Sequence, residues 1–212
     1  MKTILCFGDS NTWGCIPLTA AEPPRRYPPS QRWPGVLRRE LGGGHWVVEE
    51  GLNGRTTVWD DALEPHRDGR ELLPPILMTH QPVDLVVVML GTNDLKRRFG
   101  VGERDIAEGA GMLLDVVRAS DCGPEGSAPQ ALLVCPAPVG RLELFAEEFA
   151  GAVEKSRGLA RRYAAVAAAR SCPFVDAGAH IRSSDTDGIH LDGPAHERLG
   201  MAITREVRRL LA

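Results

Sequence analysis

Five short apolar runs punctuate the chain, at about Thr3 to Phe7, Trp46 to Glu50, Leu85 to Leu90, Ala131 to Cys135 and Pro173 to Asp176. Each is partly β-branched and is bounded by Gly, Pro or polar residues, which is the pattern of a buried strand. Between most of them apolar residues recur every three or four positions, over Arg32 to Leu41, Arg104 to Ala119, Phe145 to Arg170 and Ala195 to Leu211. That spacing predicts amphipathic helices, with Gly42, Gly123 and Ser171-Cys172-Pro173 as stop signals. The stretch between the second and third runs receives no helix. Strands alternating with helices predict an α/β fold with a parallel sheet covered on both faces, because parallel neighbours need long crossover connections.

At 212 residues and 43% hydrophobic content, the chain fits one domain over residues 1–212 with a substantial core. A formal charge of −3 offers no basic field for nucleic acid. The arginine pairs, such as Arg25-Arg26 and Arg97-Arg98, read as solvated faces. Five cysteines without a C-x-x-C spacing make a poor disulfide framework, so a reducing cytoplasm is expected. No run approaches the roughly 18 apolar residues of a membrane span, and the amino-terminal run is too short for a signal peptide. The expectation is a soluble protein without membrane partners. From Ile16 to Gln31 the chain carries Pro17, Pro23, Pro24, Pro28 and Pro29. This reads as a stiff surface connector, with a lid or subunit contact as the sharper alternative.

In open parallel sheets ligands bind beyond the carboxyl ends of the strands. Ser10 lies there after the first run, Gly54 after the second and Asn93 after the third. A serine hydroxyl is a weak nucleophile without a positioned base. Asp187 and His190, three positions apart before the last helical pattern, supply an imidazole and a carboxylate to orient it. The Ser10 and Gly54 N–H groups and the Asn93 amide are candidate donors to the negative oxygen of a tetrahedral intermediate. Asp9 reads as an anchor of the Ser10 loop and, with Trp13 and Leu95, as part of the substrate surroundings. Trp33 is a further candidate apolar wall, with a core position as the alternative. Cys6 reads as inert filler, Cys15 has no histidine nearby in sequence, and the six histidines show no H-E-x-x-H pattern, so no metal site is expected. The absence of G-x-S-x-G excludes the usual α/β-hydrolase reading. A Ser/Thr/Asn-rich first turn leaves a flavin- or phosphate-binding module as the alternative from outside enzymology.

Four ordered blocks then carry a resemblance: Gly8-Asp9-Ser10-Asn11, Leu52-Asn53-Gly54-Arg55-Thr56-Thr57, Gly91-Thr92-Asn93-Asp94 and Asp187-Gly188-Ile189-His190. Together they resemble the SGNH, or GDSL, family of hydrolases, and most closely its small bacterial arylesterase and acyltransferase branch. The resemblance implies a flavodoxin-like three-layer α/β/α sandwich with a five-stranded parallel sheet and no cofactor. It also implies Ser10 as nucleophile, His190 as base, Asp187 as its partner, and Ser10, Gly54 and Asn93 as the oxyanion hole. The implied activity is hydrolysis of short-chain acyl esters, with acyl transfer as a side activity. Carbohydrate (acetylxylan-type) deacetylation is the alternative within the class. The implied partners are a small ester and further copies of the chain. Two positions depart from the pattern. Asn11 replaces a common leucine, a change the fold should tolerate. Cys15 stands where an acyltransferase relative has a second tryptophan, which favours hydrolysis over transfer.

Overall fold

A computed structural model describes all of residues 1–212. Its strands are β1 (Lys2–Gly8), β2 (His45–Gly51), β3 (Leu85–Met89), β4 (Gln130–Cys135) and β5 (Phe174–Asp176). The helices are α1 (Ser10–Trp13), α2 (Trp33–Leu41), α3 (Gly69–His80), α4 (Glu103–Ala119), α5 (Ala152–Ala169) and α6 (Gly193–Leu210). All neighbouring strands are parallel, in the order β2-β1-β3-β4-β5. Reversal of strand order beside β1 opens a crevice at the carboxyl ends of β1 and β3, where such sheets hold ligands.

Side chains alternate across the sheet, and both faces are covered. Ile4 and Cys6 of β1 pack with Trp33 and Leu37 of α2 and with Leu199 and Ile203 of α6. Leu5 and Phe7 point the other way, into a core with Leu73 of α3, Leu113 of α4 and Tyr163 of α5. This two-sided burial explains why β1 reads as an unbroken apolar run rather than an alternating one. Truncating Leu5 to alanine would cost about 2–5 kcal/mol through the cavity left behind. No helix is long and apolar enough to cross a membrane.

The sequence pattern predicts no helix between β2 and β3, yet α3 forms there with Pro74 and Pro75 inside it. Each removes a backbone donor, at about 3 kcal/mol in a helix interior. What holds the segment is the Asp68 carboxylate, which accepts from the Arg70 and Glu71 N–H groups, and the complete burial of Leu73 and Leu77 one turn apart. Helix α5 is shorter than its apolar spacing predicts. It begins at Ala152, after left-handed Gly151 (φ 84°), and the Phe145 segment is a series of turns instead. The proline-rich connection is tied at its base by Ile16 N–H donating to Arg25 O (2.9 Å) and Tyr27 N–H to Gly14 O (2.8 Å). Between these ties Thr19 to Arg26 is exposed.

Candidate active site

The nucleophile side of the site is built where β1 stops. The Asp9 side chain accepts from the Asn11 N–H (2.9 Å) and caps α1, while the Asp9 carbonyl accepts from the Thr12 and Trp13 N–H groups. Ser10 is therefore the first residue of a single tight turn. Left-handed Gly14 (φ 88°) ends that turn, its N–H donating to Ser10 O at 2.8 Å. The end of β2 presses against the same turn. A Cβ on Gly51 would come 2.1 Å from the Trp13 nitrogen, so only glycine allows this approach.

The base comes from the other end of the chain, in the loop between β5 and α6. Asp187 Oδ1 accepts from the Ile189 N–H (3.0 Å) and the His190 N–H (2.9 Å). Its Oδ2 accepts from the Leu18 N–H (2.8 Å) and lies 2.7 Å from His190 Nδ1. His190 Nε2 lies 3.1 Å from Ser10 Oγ. With Nδ1–H donating to the carboxylate, neutral His190 presents a bare Nε2 to the serine proton. Ser10 and His190 are each only 7% exposed. Burial alone would raise the Asp187 pKa. The His190 hydrogen bond and charge, with the Leu18 and Ile189 N–H groups, outweigh it and lower Asp187 to about 2. Burial alone would lower His190, but the hydrogen bond to Asp187, with a further contribution from Cys15, raises it to about 9.

The donor side is anchored to the same strand ends. Arg55, 3% exposed, lies over the Phe7 ring and donates from Nη1 to the carbonyls of Gly8 (2.9 Å) and Glu50. Gly54 before it is left-handed (φ 81°), and a Cβ there would strike Glu64 Oε2 at 2.4 Å. Asn93 Nδ2 donates to the Arg55 carbonyl (3.1 Å), which joins the Gly54 and Asn93 turns and leaves the second amide hydrogen free. Asp94 holds the same junction by accepting from the Thr57 N–H (3.2 Å) and hydroxyl. Neither the Ser10 nor the Gly54 N–H is committed to a loop or turn carbonyl.

The residues singled out in the sequence thus gather around one serine. Asp9 is 1% exposed and serves as the α1 cap. Trp13 is half-buried, with the Arg26 guanidinium 4.9 Å from its ring centre, and Leu95 is 1% exposed beside the Asn93 turn. Trp33 is not a wall of this site. It is fully buried where α2 packs on α6 and the sheet, and its backbone N–H donates to His196 Nδ1 at 3.3 Å. Sequence reasoning missed Phe145, whose ring meets His190 edge-on at 6.2 Å. A lone aromatic in an irregular loop gives no sequence signal. It also missed an ionic cluster beside Gly54, in which Lys96 lies 2.6 Å from Glu64 and Arg98 bonds Asp61, Glu64 and Glu148. That cluster binds together three loops that follow β2, β3 and β4.

A parallel sheet with a serine, an imidazole and a carboxylate in line at its carboxyl edge defines a serine-type hydrolase. The chain belongs to the GDSL-like lipase/acylhydrolase family, whose model matches residues 6–198. Its structure is similar to that of the aryl esterase of M. smegmatis, with a TM-score of 0.95 and 42% identity over 99% of this chain and 100% of that one. A carbohydrate acetylesterase from Sinorhizobium meliloti is 41% identical, with a TM-score of 0.96 and the same coverage. A putative arylesterase from Agrobacterium tumefaciens is 40% identical over 99% of this chain and 100% of its own, with a TM-score of 0.89. A search of curated proteins gave no match. The chain is a carboxylic ester hydrolase with the three-layer α/β/α fold of this family.

Proposed function

We propose that the protein hydrolyses short-chain acyl esters of aryl and simple alkyl alcohols through an acyl-enzyme on Ser10. The observation that carries this is the line Asp187 Oδ2, His190, Ser10 Oγ, with spacings of 2.7 and 3.1 Å, the second between residues 180 positions apart. His190 Nε2 takes the Ser10 proton as Oγ bonds to the ester carbon, and the N–H groups of Ser10 and Gly54 with the Asn93 amide receive the oxyanion. The ester C–O bond then breaks, and the proton on Nε2 passes to the departing alcohol. Water, deprotonated by His190, attacks the acyl-enzyme and returns Ser10 with release of the acid. The acyl group in this proposal is acetyl-sized, with half-buried Trp13 beside the substrate position and Asp9 and Leu95, each 1% exposed, behind it as supports of the Ser10 and Asn93 turns.

Hydrolysis of p-nitrophenyl acetate by the wild type and by Ser10→Ala tests this reading. Loss of roughly 10⁴-fold or more in kcat for the variant alone is expected. Equal rates would remove Ser10 as nucleophile. Family membership selects the hydrolase over the flavin-binding alternative. The relative from Sinorhizobium meliloti supports a second reading, in which the acetyl group comes from a carbohydrate. A higher kcat/KM on acetylated xylose than on phenyl acetate would select it. Acyl transfer to an added alcohol remains a side activity in this proposal.

We further infer one SGNH-hydrolase domain over residues 1–212, acting in the cytoplasm as a homo-oligomer. A single sheet with its two flanking cores and five free cysteines support the first two points. The exposed Thr19 to Arg26 segment is the proposed subunit contact. A monomer in analytical ultracentrifugation would overturn the assembly.

A further inference from the structure

Ser10 and His190 come from opposite ends of the chain, and the residue after the nucleophile bonds the backbone on both sides of the base. The Asn11 side chain is 6% exposed, and both ends of its amide are engaged. Nδ2 donates to the Ile189 carbonyl at 3.2 Å, and Oδ1 accepts from the Leu191 N–H at 3.1 Å. Its own backbone N–H is held by Asp9 Oδ1. The side chain is therefore fixed relative to Ser10 at one end and to the peptide groups flanking His190 at the other.

We propose that Asn11 is a positioning residue that sets the register of His190 on Ser10. The leucine common at this position in the family has no group for the Ile189 carbonyl or the Leu191 N–H. Buried groups of that kind need partners, and an unmet one costs about 1–3 kcal/mol. Without the amide, the two segments keep the Ser10–His190 contact, the Leu18 N–H on Asp187 and Cys15 beside His190, none of which holds the peptide groups flanking His190. A displacement of about 1 Å between reacting groups can cost on the order of a hundredfold in rate. Asn11 touches neither the substrate nor the travelling proton.

This proposal rests on the assignment of Ser10 and His190, and it has a separate test. The kcat/KM values for p-nitrophenyl acetate and ethyl acetate would be measured for wild type, Asn11→Leu and Asn11→Ala. Both esters need His190 to take the Ser10 proton, but only the alkyl alcohol needs that proton back in order to leave. Asn11→Leu should lower the aryl value about tenfold and the alkyl value about a hundredfold, with KM nearly unchanged. The ratio between substrates does not depend on how much of a preparation is folded. Should the leucine variant fail to fold, Asn11→Ala, which leaves room for a bridging water, carries the test in the same direction. A folded variant that keeps the wild-type ratio overturns the proposal. Hydrolysis that survives Ser10→Ala instead overturns the assignment beneath it.

Discussion

Ser10, Gly54 and Asn93 each follow the carboxyl end of a parallel strand, whereas Asp187 and His190 stand in a loop well beyond β5. The two sides are held by different physics. On the strand side the sheet register and two packed cores fix the backbone, and the Asp9 and Asp94 carboxyls accept hydrogen bonds from neutral groups. Burial raises Asp9 to about 6, although the Asn11 N–H, the His190 and Arg55 charges and the Thr92 hydroxyl oppose it, and raises Asp94 to about 7 against the Thr57 N–H and hydroxyl. On the loop side a carboxylate meets an imidazole, and Asp187 is lowered to about 2 despite its burial. That loop is held by single hydrogen bonds, among them Gly140 N–H to Gly188 O (2.7 Å) and Ser184 N–H to His190 O (2.8 Å). Damage on the strand side should therefore cost stability and rate together, and damage on the loop side should cost rate first.

The largest effect that sharpens this contrast is expected from Asp187→Asn. An amide can accept the backbone N–H bonds, but it cannot stabilise the imidazolium, and its NH₂ group favours the wrong histidine tautomer. A fall of roughly 10⁴-fold in kcat is expected, with a modest fall in melting temperature below pH 9, where the charged pair is lost. A loss below about tenfold would leave His190 without need of its partner. Next comes Asn93→Ala on the donor side, which should lower kcat by about a hundredfold through the lost oxyanion donor, with KM similar. The Arg55 carbonyl also loses its amide donor there, so this variant should lose stability as well. An unchanged kcat would reassign Asn93 to joining the two turns. Gly51→Ala should act through packing alone. Its Cβ falls 2.1 Å from the Trp13 nitrogen, so β2 or α1 must move. A stability loss of about 1–3 kcal/mol in urea unfolding is expected. Normal stability would show that the serine turn can give way.

The same contrast explains what was legible in the sequence. Strands β1 and β3 could be read because both faces are buried, which leaves an apolar run closed by a polar turn. Ser10, Gly54 and Asn93 inherit that legibility from the strand ends. Asp187 and His190 could be read only from their mutual spacing and from the family pattern, since nothing local marks their loop. Trp33 could not be assigned to wall or core from the sequence, because an aromatic near a predicted helix start looks the same whether it faces a cleft or a core. Helix α3 was hidden by its prolines, whose penalty is met by tertiary burial that no local pattern records. Phe145 and the contacts of Asn11 depend on loops that meet only in three dimensions.

The pH dependence isolates the loop side without any substitution. His190 in the folded enzyme is raised from its ordinary 6.5 to about 9, chiefly because Asp187 outweighs the cost of burial. Only neutral His190 can take the serine proton, so kcat/KM for acetyl esters should climb about tenfold per pH unit below 9 and level off there. Stability runs the other way. A histidine raised in the folded state contributes stability that is fully present below 6.5 and is lost as pH rises through 9. Asp187, lowered in the folded state, contributes stability present above 3.8 and lost as pH falls through 2. Between pH 6.5 and 9 the enzyme should thus gain activity while it loses the stabilisation of the charged pair. Asp187→Asn should move the acid limb of the profile back toward 6.5, because the raising partner is gone. A wild-type profile already flat from pH 6.5 upward would mean that the carboxylate orients the imidazole without raising its pKa, and the two sides of the site would then differ in how they are held but not in how they are charged.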